Sequence, residues 1–296
     1  MAVVSVVIRT YNEARYLDEL LSKVRQQQIA EHTLEIVVVD SGSTDDTLAI
    51  AEKHHCVLVH IEKQNFTFGR SLNVGIAAAQ GDYLAFVSGH CVPVDDRWLM
   101  GLTAPLTSKH AAYTYGNQMG RDNTKFSERQ VFEKYFDPDK RVSQAPYFVN
   151  NANAALAREA WDGHKFDEDL TGLEDMHLAQ RLLAAGYKVA YADDAAVYHI
   201  HDETWRQVKW RYEREAIALQ KIDPSLHMSR RDLARCIVSS ILLDSGAAIE
   251  QSIFWRELWS IVAFRVNQYW GSYTGSRSSR RMNEDMKRRY FYPNRV

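Results

Sequence analysis

Cysteine is scarce in this chain. Its 296 residues hold three, Cys56, Cys91 and Cys236, scattered without metal-type pairing and without the even set of a disulfide framework. That excludes a disulfide-stapled fold and fits a reducing compartment. A strong charge of one sign is also missing. The formal net charge is −2, whereas a general nucleic-acid binder needs a marked basic excess, so no nucleic-acid partner is expected. No uninterrupted apolar stretch reaches the ~18–20 residues that span a bilayer. No leader peptide is visible, because Met1 runs straight into a strand-like segment with no basic region before it. Nor does a G-x-G-x-x-G follow the first strand, which argues against a dinucleotide cofactor and hence a dehydrogenase. These absences leave a cytoplasmic globular enzyme, one that meets a membrane peripherally at its inner face if at all.

What is present suits such an enzyme. Hydrophobic residues make up 46% and charged residues 25%, enough for a true core. Val3 to Ile8 is a β-branched run that reads as a strand buried on both faces. Helical spacing follows through Leu17, Leu20, Leu21 and Val24. Further strands are expected at Leu34–Val39, Val57–Ile61 and Tyr83–Val87, with a helix capped by Ser43 or Thr44 running to about Lys53. Another helix is expected over Ser71–Gln80, stopped by Gly81. Strands alternating with helices at this spacing give a mostly parallel sheet flanked by helices, an α/β Rossmann-like class. In such sheets ligands bind beyond the carboxyl ends of the strands. The loops at Arg9, Asp40 and His90 all lie there.

Later in the chain, a helix is expected over Gly172–Ala185, stopped by Gly186, and short strands at Val189–Ala192 and Ala195–Tyr198. Beyond Glu203 the pattern is helical almost to Trp270, with large aromatic anchors. The expected organisation is a domain over residues 1–215 and a helical, aromatic and basic extension over 216–296.

Two constellations carry chemistry. Asp40 ends a buried strand, where its carboxylate either accepts from a ribose hydroxyl or base N–H, or caps the following turn. Arg70 stands at the mouth of a helix, where its planar fork suits phosphate oxygens and the helix dipole adds to it. A surface ion pair is the simpler reading of the same arginine.

Val7-Ile8-Arg9-Thr10-Tyr11-Asn12-Glu13, Val39-Asp40-Ser41-Gly42-Ser43-Thr44-Asp45, Gly69-Arg70-Ser71-Leu72-Asn73 and Thr171-Gly172-Leu173-Glu174-Asp175 resemble, in this order, the signatures of inverting family 2 glycosyltransferases. The resemblance covers roughly residues 3 to 215 and is strongest to bacterial rhamnosyltransferase-like enzymes of surface-polysaccharide assembly. It implies a GT-A fold, a nucleotide-sugar donor, and a glycan or lipid-linked acceptor. It also implies Thr10, Asp40 and Arg70 as nucleotide-binding positions, joined by Arg9, Tyr11, Glu13 and Gly89 of the same loops. Asp175 is implied as the catalytic base, paired with Glu174. A carboxylate rigidly held there can take the acceptor hydroxyl proton as its oxygen attacks the anomeric carbon opposite the leaving nucleotide. The plain alternative is that both acids merely favour the helix N-terminal dipole.

The chain departs from the family at the metal motif. Where an Asp-x-Asp cluster usually follows the fourth strand, this sequence has Ser88-Gly89-His90. His90 falls at the metal-binding position, and His199 matches a histidine that some members place near metal and diphosphate. Three outcomes stand open. His90 and His199 hold a divalent metal, Mn²⁺ suiting imidazole better than Mg²⁺; or they contact phosphate directly; or the donor is a CMP-activated acidic sugar that needs no metal. A catalytically inactive nucleotide- or glycan-binding relative is the alternative outside enzymes. On the acceptor side, the amides of Asn150, Asn151 and Asn153 suit sugar hydroxyls, and Trp205 could stack on a sugar face. The basic cluster from Arg277 to Arg295, with Trp255, Trp259 and Trp270, could rest on an anionic membrane.

Overall fold

The computed structural model describes residues 2–29 and 32–278; the expected basic cluster lies outside them apart from Arg277. The chain divides into two compact units. One comprises Met1–Arg121, Phe132–Asp169 and Glu174–Ile200; the other comprises Asp122–Val131, Leu170–Leu173 and His201–Val296.

In the first unit β1 (Val3–Thr10) is the β-branched run read as a strand, and it is buried along almost its whole length. Helix α1 (Ala14–Arg25) follows, then β2 (Thr33–Asp40), α2 (Thr47–Lys53), β3 (Val57–His60), α3 (Phe68–Ala78) and β4 (Tyr83–Ser88). The expected caps of α2 are not used. The helix starts at Thr47 after Asp46, because Ser43 Oγ turns back to Asp40 and Thr44 N donates to Asn12. Helix α3 begins three residues earlier than expected, its N-terminus capped by Thr67, whose hydroxyl accepts from Arg70 N. Gly81 is not its stop: Ala79 leaves the helix in extended conformation. What demands glycine at 81 is crowding, since a Cβ there would lie 2.5 Å from Ser5 Oγ and 2.6 Å from Ser5 N.

Next come β5 (Cys91–Pro93), α4 (Trp98–Thr107), β6 (Tyr113–Met119), α5 (Phe126–Phe136), β7 (Asn153–Ala157), α6 (Arg158–Gly163), α7 (Glu174–Ala184) and β8 (Val189–His199). Gly186 follows α7 at φ +88, the left-handed stop its position implies. The two short strands expected at the end are one strand, β8, whose pairing with β6 is interrupted by a register shift between Gly116 and Gln118. The sheet runs β3-β2-β1-β4-β7-β6-β8-β5. β3, β2, β1 and β4 are mutually parallel; β7 is antiparallel to both β4 and β6, β6 and β8 run parallel, and β5 pairs antiparallel with β8. This is a mixed α/β, mainly parallel sheet of the GT-A kind.

Alternation along the strands sorts the core. Val4, Val6 and Ile8 join Ile36, Val38, Ala85 and Val87 on one face, beneath Leu17, Leu20, Leu21 and Val24 of α1 and Trp98, Leu99 and Leu102 of α4. On the other face α3 lies so close that a Cβ at Gly75 would meet Val39 and Val7 at 2.6 and 2.7 Å.

The second unit is helical, with α8 (Trp205–Ile222), α9 (Arg230–Glu250) and α10 (Phe254–Gly275). The continuous helical pattern beyond Glu203 is thus three helices. Capping boxes start two of them, Thr204 with Gln207 and Ser229 with Asp232. A boundary was expected at residue 215; the second unit takes up the chain from His201. Helix α8 belongs with α10, where a Cβ at Gly275 would lie 2.8 Å from Ala216 Cβ. Two ion clusters knit this unit, one buried and one half-buried. Arg265 donates through Nε and Nη2 to Asp244, which also accepts from Ser127 Oγ. Arg211 lies between Glu128 and Glu203, with His201 Nδ1 3.0 Å from Glu128.

Candidate active site

The carboxyl ends of β1, β2 and β4 meet at one edge of the first unit, and the loops there are laced together. Asn12, at φ +57, receives Thr44 N on its Oδ1 at 2.7 Å and gives its own N–H to Ser43 Oγ at 2.8 Å. Glu13 N donates to Thr47 Oγ1 at 2.8 Å. Asp40 is fully buried at the centre. Its Oδ2 accepts from Gly42 N and Ser43 N at 2.8 and 2.9 Å, and its Oδ1 accepts from Ser43 Oγ and, at 3.2 Å, from Thr10 Oγ1. A carboxylate has about four acceptor sites, and the turn occupies them. The capping contacts of Asp40 are all present, and its carboxylate shapes the turn that follows β2.

Tyr11 lies under Lys63, whose Nζ is 4.6 Å from the ring centroid and donates to the hydroxyl at 3.2 Å. Sequence reasoning missed Lys63, which sits in an irregular segment without periodicity. Arg70 is half exposed at the first turn of α3, with Nη1 3.6 Å from Glu168. That distance is a loose surface pair worth little in water, so the guanidinium is readily offered to a ligand. Arg9, grouped with the nucleotide residues by sequence, faces the acid pair. It stacks on Phe68 at 5.1 Å and donates to Glu174 Oε1 at 3.1 Å.

That pair leads to the acids. Leu173 takes φ +54 immediately before α7, which places Glu174 and Asp175 in the first helical turn, both buried. Asp175 Oδ2 accepts from Asn151 N at 2.9 Å and Oδ1 from Met176 N at 2.8 Å. Burial first, and the adjacent Glu174 charge second, push the Asp175 carboxyl from 3.8 to about 7; the two N–H donors and Arg9 pull the other way. A carboxyl poised there exchanges its proton near neutral pH. Burial likewise raises the hydroxyl of Tyr113, helped by Asp175 and Glu174, so this phenol stays protonated and donates to Asn151 Oδ1 at 2.6 Å.

The three acceptor-site amides diverge. Asn150 Oδ1 accepts from Ala152 N at 2.9 Å, forming a turn, and keeps partial exposure. Asn151 is buried beside Asp175; its Nδ2 has no hydrogen-bond partner. Asn153 is not an acceptor residue. It has no exposed surface, receives Trp98 Nε1 at 2.8 Å, and donates to Asn117 O and Ala195 O at 2.8 and 2.7 Å, so its amide clasps strands together. Trp205 belongs to the other unit, where Lys125 Nζ lies 5.3 Å over its ring.

At the fourth strand's end, His90 and His199 stack with ring centroids 5.2 Å apart and planes 24° from parallel. Pairing of Cys91 with His199 across β5 and β8 brings them together. His90 Nδ1 lies 2.8 Å from Glu13 Oε1, and His199 Nδ1 lies 2.8 Å from Gln118 Oε1. Both partners present oxygen acceptors, which favours the tautomer that carries its proton on Nδ1. Glu13, expected to touch nucleotide, is placed to orient His90. Gly89 permits this: a Cβ there would lie 2.8 Å from Glu13 Cγ. Ligand nitrogens of the two histidines lie within 4.8 Å of each other, and each imidazole has an oxygen partner behind it, the arrangement that metal-binding histidines use. The pair fits a divalent ion with an appetite for nitrogen. In the second unit, Glu128, His201 and Glu203 also cluster, but Arg211 supplies the positive charge there.

A Rossmann-like sheet with laced loops at its carboxyl edge, a cation near a helix mouth and a buried acid pair define a GT-A sugar transferase. Residues 5–162, more than half the chain, match the Glycosyl transferase family 2 family, and the chain belongs to it as a glycosyltransferase. It is 27% identical to the O-antigen chain rhamnosyltransferase RfbN of Salmonella typhimurium over 71% of this chain and 70% of that protein. It is also 27% identical to the O-antigen chain rhamnosyltransferase WbaN of Salmonella anatum, over 60% of each chain. Among solved structures, the mannosyltransferase PcManGT from Pyrobaculum calidifontis, in complex with GDP-Man and Mn²⁺, superposes with a TM-score of 0.58 at 19% identity, covering 90% of this chain and 87% of that one. The Mycobacterium tuberculosis glucosyl-3-phosphoglycerate synthase, in complex with Mn²⁺, UDP and phosphoglyceric acid, superposes at 0.55 with 16% identity, covering 75% and 78%.

Proposed function

We propose that this glycosyltransferase moves a sugar, with inversion, from a nucleotide-sugar donor to a glycan or lipid-linked acceptor during synthesis of a bacterial surface polysaccharide. The observation that carries the reading is Asp175, a buried carboxyl raised to about 7 and fixed by two backbone N–H groups. Its carboxylate takes the acceptor hydroxyl proton while that oxygen attacks the anomeric carbon. Glu174, held by Arg9, keeps the base's proton affinity high. Asp40 and Thr10 shape the nucleotide end, and Arg70 and Lys63 are the cations available to its phosphates. His90 and His199 would hold a divalent ion, Mn²⁺ before Mg²⁺, through their Nε2 atoms; such an ion supplies charge neutralisation for the departing diphosphate. The likeness to two O-antigen rhamnosyltransferases supports the place in surface-polysaccharide assembly.

A thermal-shift screen of UDP, GDP, dTDP and CMP, with and without Mn²⁺, tests donor class and metal together. Stabilisation by one diphosphate nucleotide, enhanced by Mn²⁺, is expected. Stabilisation by CMP alone, indifferent to Mn²⁺, would redirect the reading to a metal-independent transferase of an acidic sugar.

A peripheral membrane contact at the inner face of the cell membrane is the second reading. Trp255, Trp259 and Trp270 share one face of α10, at 85%, 75% and 46% exposure. The arginine-rich segment follows directly in sequence, the combination that anionic lipid attracts. No described helix is long and apolar enough to cross a membrane. Cosedimentation with phosphatidylglycerol vesicles should fall when Trp255 and Trp259 are changed to Ser; equal cosedimentation would end this reading.

A further inference from the structure

Within the first unit, a cavity of about 450 Å³ opens between β6, β8 and the segment after α5, a size in the ~300–1,000 Å³ range of small-ligand sites. Its wall is aromatic. Tyr115 packs edge-on to Phe148 at 5.4 Å and against Tyr191 at 5.0 Å. Both phenols are anchored, Tyr191 by donating to Phe136 O and Tyr115 by accepting from Arg141 Nη1 at 3.5 Å. The rings are therefore held in place, with Val189 and Pro146 completing the lining.

Arg141 gives the cavity its chemistry. Its guanidinium lies over the Tyr191 ring with Cζ 4.2 Å from the centroid. Stacking satisfies the faces of a guanidinium but leaves its N–H groups directed outward in its own plane. Nη1 spends one donor on a long bond to Tyr115, and no carboxylate lies within ion-pair distance among the described residues. The guanidinium thus lies over an aromatic ring at the edge of a cavity, with no counter-ion among the described residues.

Strand β6 links the cavity to Asp175. Tyr115 stands two residues beyond Tyr113 on the same face of β6, and Tyr113 bonds Asn151, whose N–H holds Asp175. Two residues along a strand span ~6.7 Å, comparable to the width of one sugar ring. Phe148 likewise precedes Asn151 by three residues.

We propose that this cavity is an acceptor subsite that selects a glycan carrying an oxyanion. The apolar face of a pyranose lies against Tyr191, Tyr115 or Phe148, whose negative ring faces favour C–H groups. Arg141 pairs with a carboxylate or phosphate on the same sugar or its neighbour, bidentately. The subsite rests on Asp175 being the base, and it names the acceptor class of that reaction. A uronic-acid carboxylate and a sugar-linked phosphate share this chemistry.

The test uses the full chain and three probes, glucuronate, glucose 1-phosphate and methyl glucoside, with affinity read by NMR titration at low salt and no nucleotide present. At least one anionic probe should bind tenfold or more tightly than methyl glucoside. Arg141→Ala should erase that preference, with little effect on melting temperature because Arg141 is exposed. Preference for glucuronate or for glucose 1-phosphate identifies which oxyanion is read. Equal affinity for charged and neutral probes, or unchanged anion binding in Arg141→Ala, overturns the proposal. Nucleotide affinity, measured separately, should be the same in wild type and Arg141→Ala. A drop there would assign the cavity to the donor and overturn the proposal, whereas absence of nucleotide binding by the wild type would instead sink the donor reading.

Discussion

Replacing Glu174 by Gln should move the pH profile of this enzyme toward acid while leaving its base in place. The Asp175 carboxyl rises from 3.8 to about 7; at ~1.4 kcal/mol per pH unit, its neutral form is favoured by ~4 kcal/mol. Burial is the larger cause and the Glu174 charge the second. Glu174→Gln keeps the burial and the shape but deletes the like charge. It also releases the Arg9 guanidinium, now 3.1 Å from Glu174 Oε1, to act on Asp175. Both changes favour the carboxylate, so the value should drop by about one unit or more. The assay is kcat/KM from about pH 5 to 9, which reports the essential base of the free enzyme. Wild type should lose activity below about 7, and the variant should retain activity about one unit further into acid. A limb that stays in place, or moves toward alkali, would refute the claim that Glu174 tunes Asp175.

Three further outcomes are expected. Asp175→Asn should gain stability relative to wild type as pH rises: the raised folded value means the wild type loses stability between 3.8 and about 7, and Asn lacks that loss. Chemical denaturation at both ends of the window checks it, and a constant difference would contradict it. Glu13→Ala should weaken Mn²⁺ binding, read by electron paramagnetic resonance with nucleotide present, by ~10–100-fold through loss of His90 orientation; unchanged affinity would show that Glu13 is not its positioning partner. Arg211→Ala should destabilise the protein by ~3–5 kcal/mol at neutral pH, because Glu128 is left buried, and Glu203 half-buried, without their cation. Against burial, which alone would raise it, the Arg211 and His201 charges hold Glu128 down to about 2, so its contribution is present above 4.5 and is lost as pH falls from there to about 2. A loss below ~1 kcal/mol would contradict the buried-network account.

The parallel half of the sheet was legible because its signal is local: β1, β2 and β4 are continuous β-branched or apolar runs, and α1 repeats leucine at helical spacing. β7 was not, since Asn-Ala-Ala-Leu-Ala has no β-branched residue and becomes a strand only because β4 and β6 flank it. β6, with its glycine, amides and two tyrosines, reads as irregular until its neighbours are known. The same contrast divides the site. Asp175 and Glu174 stand out in an ordered motif, and His90 at the strand end it follows. The second role of Glu13 was hidden, because nothing in a loop sequence says that its carboxylate reaches a histidine 77 residues away. Asn153 misled in the opposite direction. An amide beside aromatic residues suits a sugar in sequence, and equally suits three buried partners that only the fold supplies.

The central claim is that Asp175 removes the acceptor proton. Single-turnover transfer by wild type and Asp175→Asn, at saturating donor and about pH 8, measures this most directly, with donor-nucleotide affinity determined on the same preparations. The account expects unchanged nucleotide affinity and a ~10²–10⁴-fold fall in the transfer rate. A transfer rate near that of the wild type, in a variant that binds donor normally, would contradict it.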